Sequence, residues 1–321
     1  MKRMSLIVNP ISGSGGDKAE LVQRIAAALE QKEIAVDVLP TRGPGDATVL
    51  AREAVGQGVD AVLACGGDGT VNETATAMIG TGVPMGIIPC GSGNGLARHL
   101  AIPVEPMLSL DIIAGGHFDD CDCGMVNGRP FFCTFGVGYD ADVALRFANS
   151  GRRGVVSYVR SAIEEFIRFR HEHYTLTVDG ETIADDAFLI ACCNISQYGN
   201  NAYIAPKASI TDGLLDLIII RKASMIETML VSLDLVTGTI DQNRLIDTVR
   251  LSNAVIERSA PGSAHIDGEP VQLGERLEIS CLKGALRLFT PAESSQFRPL
   301  ITPVEDLLRD ATITIRNSLN I

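Results

Sequence analysis

Positive charge is scarce in this chain: 27 lysines and arginines face 39 aspartates and glutamates over 321 residues, a net charge of −12. So negative a chain excludes a nucleic-acid binder that tracks phosphates, and it offers no wholesale electrostatic anchor for an anionic membrane. Long hydrophobic runs are missing too, and none approaches the length needed to cross a bilayer. The opening Met1-Lys2-Arg3 is followed by apolar Leu6-Ile7-Val8, but Asn9-Pro10 ends that run too soon for a signal peptide, so it reads as a first strand. The eight cysteines contain no CxxC pair and no metal-ligand spacing. Cys121 with Cys123, and Cys192 with Cys193, therefore read as small core residues in a reduced interior. No internal repeat, low-complexity segment or Walker-type P-loop is visible. These absences describe a soluble, cytoplasmic protein.

With 46% hydrophobic residues the chain has material for two modest domains. Its first third alternates strand and helix. Leu6–Val8 reads as a strand, and Asp17–Gln31 as a helix with Leu21, Val22, Ile25, Ala28 and Leu29 on one stripe. Ala35–Leu39 is a strand, and Gly45-Asp46 opens a helix running to Ala54. Ala61–Ala64 is a strand, Glu73–Ile79 a helix and Met85–Pro89 a strand. Such βα units predict a parallel sheet with helices on both faces and ligand loops at the carboxyl ends of its strands.

Near Asp119 the pattern turns β-rich, with strands predicted at Phe131–Phe135, Tyr174–Val178, Ala187–Cys193, Leu215–Ile220, Val249–Ile256 and Leu277–Cys281. Asp-Gly turns between them predict an antiparallel sandwich. An amphipathic helix over Val155–Phe169 interrupts it. The expected domains are 1–124, 125–290 and a tail, 291–321, whose capped helix over Thr302–Asp310 packs back on the first domain.

The segment from Cys65 to Glu73, Cys-Gly-Gly-Asp-Gly-Thr-Val-Asn-Glu, follows an apolar strand and opens a helix. Bare backbone N–H groups at a helix N-terminus, without Cβ atoms in the way, cradle phosphate oxygens. Asp68 suits Mg²⁺ or the alignment of a transferred phosphoryl group, against the plain alternative of a Gly-Asp-Gly turn. Two further loops are rich in small residues: Asn9-Pro10-Ile11-Ser12-Gly13, in which Asn9 and Ser12 can hydrogen-bond a nucleotide, and Gly91-Ser92-Gly93-Asn94. His265-Ile266-Asp267-Gly268-Glu269 adds a second carboxylate cluster able to take a proton from an attacking hydroxyl; the alternative is a type I′ hairpin turn. Thr41 alone reads as a helix cap, and Asp212-Gly213 alone as a hairpin turn. Arg146, Arg152, Arg153, Arg160, Arg168 and Arg170 form a basic cluster, either a solvated helix face or a patch for anionic headgroups.

The octet Gly66–Glu73 resembles the nucleotide-binding signature of the diacylglycerol kinase catalytic-domain family, which includes bacterial lipid kinases, ceramide kinases and sphingosine kinases. Phosphofructokinases and NAD kinases share the Gly-Gly-Asp-Gly core, but the Asn72-Glu73 ending is that of lipid kinases. The Asn9, Gly91, Gly136–Ala141, Asp212–Asp216 and His265–Glu269 segments follow in family order, so the likeness spans about residues 4 to 290. It implies an α/β N-terminal domain like that of phosphofructokinases and NAD kinases, then a β-sandwich. It also implies ATP and Mg²⁺ as cofactors, with Asn9, Ser12, Gly13, Thr41, Gly66, Gly67, Asp68, Gly69, Thr70, Asn72, Glu73, Gly91 and Ser92 around the nucleotide. Asp68 joins Asp267 and Glu269 as catalytic residues, and the base is either of the last two. A structural Mg²⁺ falls to the Asp212 carboxylate with the carbonyls of Ser209 and Leu214, and Asp140 falls to the headgroup of the lipid. Diacylglycerol is the default acceptor; Ser92, where many bacterial relatives carry Thr, leans towards a sphingoid base or ceramide. A kinase for NAD and a non-catalytic nucleotide sensor are the rivals. The expected partners are a lipid at a membrane surface and, as an assembly, a homodimer, with no nucleic acid.

Overall fold

The computed structural model describes residues 2–12, 18–149, 172–178, 180–198, 202–221 and 237–292, with scattered residues between 222 and 236. The chain forms two units: Met1–Cys123 with the described residues from Lys283 onward, and Gly124–Leu282. Gly13, the helix expected over Val155–Phe169 with the five arginines from Arg152 to Arg170, and the tail helix lie outside the described residues.

The first unit alternates β1 (Lys2–Val8), α1 (Lys18–Gln31), β2 (Ile34–Pro40), α2 (Asp46–Gly56), β3 (Ala61–Gly66), α3 (Asp68–Met78) and β4 (Met85–Pro89). The strands are parallel in the order β4-β3-β1-β2. All six residues of β3 are buried. That is why its sequence is an unbroken small and apolar run: helices cover both faces of a parallel sheet. Ile25 and Leu29 of α1 pack with Met4, Leu6, Val8, Leu63 and Ile88; burying each such side chain contributes about 1.5–3 kcal/mol. Two shorter helices follow, α4 (Gly95–His99) and α5 (Pro106–Gly115). Sequence periodicity missed α5, whose ends nevertheless carry clear signals. Glu105 accepts from the Met107 and Leu108 N–H groups, Pro106 sits in the first turn, and left-handed Gly116 stops the helix.

The second unit is antiparallel. Strand β5 (Phe118–Val126) leads into it, and β6 (Arg129–Phe131), β7 (Thr134–Gly138), α6 (Tyr139–Asn149), β8 (Glu172–Val178), β9 (Glu181–Cys193) and β10 (Leu215–Arg221) follow. Then come β11 (Ile246–Leu251), β12 (Asn253–Arg258), β13 (Gly262–Ile266), β14 (Glu269–Leu273) and β15 (Arg276–Phe289). Strand β9 organises the unit: its first half pairs with β8, and Leu189–Cys193 runs between β7 and β10. Ile190 and Cys192 face one core with Phe135, Val137, Leu215 and Leu217. Leu189, Ala191 and Cys193 face another with Ile204, Ile218 and Ile220. A strand buried on both faces has no polar alternation to show.

Several expectations need correction. The predicted strand Phe131–Phe135 breaks between β6 and β7, because the N–H groups of Phe132, Cys133 and Thr134 turn to the Asp267 carboxylate. Val249–Ile256 divides at Ser252 into β11 and β12, and the helix expected from Glu73 already starts at Asp68. Strand β15 runs well past Cys281: Leu288 pairs in parallel with Met85, and Phe289 enters the first core. Residues 283–290 therefore lie in the first unit, although their sequence groups them with the second. No helix among the described residues is long and apolar enough to cross a membrane.

Candidate active site

The small-residue loops of the first unit meet along one edge of its sheet, because all the strands point the same way. Hydrogen bonds chain them together: Thr41 N–H donates to Val8 O at 2.8 Å, Asn9 N–H to Cys65 O at 3.1 Å, and Cys90 N–H to Gly66 O at 2.8 Å. Thr41, the Asn9 loop, the Gly66 loop and the Gly91 loop thus lie side by side at the carboxyl ends of β2, β1, β3 and β4, where parallel sheets bind ligands. Ser12 Oγ donates to Asn9 O at 2.9 Å and accepts from Lys18 Nζ at 3.1 Å.

The two acids of the octet work on backbone. Asp68 accepts from the N–H groups of Asn94, at 2.9 Å, and Gly95, at 2.8 Å, which cap the start of α4. Glu73 accepts from Gly45, at 2.8 Å, and Ala47, at 3.1 Å, at the start of α2. Each carboxylate satisfies the orphan donors of a neighbouring helix and complements its dipole, so the octet fixes the spacing of the loops around it. Gly67 and Gly91 touch backbone to backbone: a Cβ on Gly91 would lie 2.6 Å from Gly67 Cα. Asn72 Oδ1 is buried without a protein partner, an acceptor left open in α3.

In the second unit, Asp267-Gly268 is a two-residue hairpin turn between β13 and β14, with φ values of 51° and 82°. Those signs are what a type I′ turn requires. Asp267 does more than turn the chain. Its carboxylate accepts from Phe132 N–H at 2.9 Å, Cys133 N–H at 2.7 Å and Thr134 N–H at 2.9 Å. Burial pushes its pKa up to about 6, against the pull of those three N–H donors and of His265. Glu269, two residues on, is exposed at the start of β14.

Asp140 is buried, and its carboxylate is already engaged. His265 Nε2 lies 2.9 Å from it, Tyr198 Oη donates at 3.0 Å, and Ala141 N–H donates at 2.8 Å. A headgroup reaching Asp140 would share its carboxylate with these partners, and the same carboxylate holds His265, whose Nδ1 faces the Gly268 N–H at 3.4 Å. Asp140→Ala leaves the buried His265 Nε2 without that partner, at about 1–3 kcal/mol, and takes an acceptor from half-buried Tyr198. It should lower the melting temperature of the protein by several degrees. A selective rise in the KM for lipid, with melting unchanged, would contradict this.

Asp212 is likewise engaged: Leu214 N–H donates to it at 3.0 Å, and Arg250 forms an ion pair with it. Ser209 Oγ sits 3.4 Å from Thr211 Oγ1. Arg250 also lies 3.8 Å from Asp216, whose carboxyl burial holds above the usual range. Arg250 thus sets a positive charge beside the carboxylate that the family resemblance gives to Mg²⁺.

Sequence reasoning overlooked Lys18 and Arg98. Arg98 Nε donates to Gly93 O at 2.9 Å and braces the second loop, while Lys18 reaches the first. Neither belongs to a Gly-Lys-Ser/Thr motif, so only proximity reveals them.

Comparison with known proteins agrees with this architecture. Residues 3–126 match the family described as diacylglycerol kinase catalytic domain, and residues 133–290 match the YegS C-terminal NAD kinase beta sandwich-like domain. A diacylglycerol kinase of Mycobacterium tuberculosis is 31% identical over 304 residues, covering 90% of this chain and 95% of its own. One of Bacillus subtilis is 29% identical over 278 residues, covering 84% and 90%. A solved structure titled as a diacylglycerol kinase from Bacillus anthracis superposes with a TM-score of 0.70 at 21% identity, over 91% of this chain and 97% of that one, a likeness of fold. The two matched families pair a kinase catalytic domain with a beta sandwich-like domain, as the α/β unit and the antiparallel unit do here. The chain belongs to the diacylglycerol kinase catalytic-domain family.

Proposed function

We propose that this protein transfers the γ-phosphoryl group of ATP, with Mg²⁺, to the free hydroxyl of diacylglycerol at a membrane surface. The observation that carries the reading is the alignment of Thr41, Asn9, Ser12, Gly66–Thr70 and Gly91–Ser92 along one sheet edge, with the Lys18 ammonium beside them. Phosphoryl transfer is mostly positioning and charge stabilisation, and this edge supplies N–H donors, hydroxyls and a cation. Mg²⁺ keeps several waters and is carried on substrate phosphates with one or two carboxylates. Asp68 fits, since each of its oxygens keeps a second lone pair beyond its N–H bond. Bound there, Mg²⁺ would neutralise charge on the phosphates.

Glu269 is the base in this reading. It takes the proton of the lipid hydroxyl as that oxygen attacks phosphorus and ADP departs. Asp267, engaged by three backbone N–H groups, shapes the turn that presents Glu269. Diacylglycerol is favoured over a sphingoid base because the Asp140 carboxylate already accepts from Tyr198 and Ala141 and lies against His265, which leaves it less open to an amine.

Incubation with labelled ATP and vesicles containing diacylglycerol, sphingosine or ceramide, with NAD in a parallel tube, should label phosphatidic acid. Labelled NADP, or nucleotide binding without turnover on any acceptor, would overturn the proposal. Lys18→Met should raise the KM for ATP about tenfold, the worth of one charge-assisted hydrogen bond, and leave the KM for lipid in place. An unchanged KM for ATP would remove Lys18 from the site.

A further inference from the structure

Two thiols stand beneath the glycine loops of the first unit with no part in the chemistry above. Cys65 precedes Gly66 in β3, and Cys90 follows β4 immediately before Gly91. The register sets Cys65 opposite Ile88, so Cys90, two residues further, returns to the same face. Their sulfurs are 3.6 Å apart; both thiols are free, Cys65 buried and Cys90 half-buried.

We propose that Cys65 and Cys90 are a modification site: peroxide converts them to a reversible disulfide that disables the adjoining loops. The Cys90 thiolate attacks the peroxide O–O bond, forms a sulfenic acid and releases hydroxide, which takes up a proton to become water. The Cys65 sulfur, giving up its proton, then attacks Cys90 sulfur and expels a second water. Two thiols and one peroxide become one disulfide and two waters, with both electrons of the oxidation accepted by peroxide oxygen.

The surroundings make Cys90 the reactive partner. The Cys65 S–H bond, and then the Lys18 ammonium, pull the Cys90 pKa down to about 6 against burial, while the same bond and burial push Cys65 up. Elsewhere burial pushes Cys121 up to about 12 and raises Cys192 and Cys193. Thiolate character, half-exposure and a resolving thiol in reach therefore coincide at Cys90.

A bond of about 2.05 Å requires the sulfurs to approach by about 1.5 Å. Cys90 cannot follow without dragging Gly91, whose backbone is already against Gly67. The bond itself does not depend on the kinase reading, whereas its consequence for phosphoryl transfer does.

The test treats the full chain with one equivalent of hydrogen peroxide, blocks free thiols and maps peptides by mass spectrometry, with ATP binding measured by calorimetry. One cross-linked pair holding Cys65 and Cys90, with ATP affinity reduced at least tenfold and restored by dithiothreitol, is the expected result. Cys65→Ala, which also loses the S–H donor to Cys90, should form no link, and Cys90→Ser should form no link and keep its ATP affinity under peroxide. No link, a link between other cysteines, or a linked protein with unaltered ATP affinity would overturn the proposal. Calorimetry and peptide mapping decide this even if no lipid is phosphorylated.

Discussion

Glu269→Gln should lower kcat for lipid phosphorylation by about 10²–10⁴-fold, the range for losing a positioned base, with an unchanged melting curve. Asp267→Asn should behave in the opposite way. Glu269 is exposed and its side chain makes no hydrogen bond or ion pair among the described residues, whereas Asp267 accepts from three backbone N–H groups through both its oxygens. An amide has one acceptor oxygen, so its NH₂ would face an N–H donor, at about 1–3 kcal/mol. A second reading comes from pH. The folded pKa of Asp267, about 6, lies above the 3.8 of an ordinary aspartate, so the folded chain holds that proton to higher pH than the unfolded one. This group therefore favours the folded state most below about pH 4, and that advantage fades as pH rises to about 6, by up to about 3 kcal/mol. Asp267→Asn should flatten this part of the stability profile. If Asp267→Asn kept wild-type stability but lost turnover, while Glu269→Gln stayed active, the two roles would have to be exchanged.

Gly91→Ala should cost the protein both stability and nucleotide. The added Cβ meets Gly67 Cα at 2.6 Å and Asn94 Oδ1 at 3.0 Å. Backbone against backbone has no rotamer to yield, so the two loops must part, at about 1–3 kcal/mol. Because Asp68 ties its own loop to Asn94 and Gly95, the displacement spreads to the start of α4. The expected result is a lower melting temperature and a Kd for ATP at least tenfold weaker. Gly69→Ala separates the two effects, since a Cβ there meets nothing within 4 Å in the protein and α3 gains a better helix former. It should fold at least as well as the parent yet bind ATP more weakly, because the methyl group occupies the approach of the phosphates. Undiminished ATP affinity in Gly69→Ala would place the phosphates elsewhere.

The sequence by itself determined the two-part architecture and the order of the motifs. Period and composition are local properties: the continuous apolar run of β3, the one-sided stripe of α1 and the Asp-Gly turn at Asp267 each show in a few neighbouring residues. Family resemblance added the chemistry, because strands ending in glycines carry the same residues wherever such loops serve.

What each acid touches was decided only in three dimensions. Asp68, Glu73, Asp140 and Asp267 look alike in sequence, as carboxylates near glycines or helix starts. Their partners lie 26, 28, 125 and 135 residues away along the chain. A carboxylate held against N–H donors or a histidine has part of its accepting capacity taken up by structure, and one left at the surface keeps it. The return of Leu288 and Phe289 to the first unit depends likewise on pairing with distant Met85. So does the approach of Cys65 to Cys90, which register between two strands sets and spacing along the chain cannot.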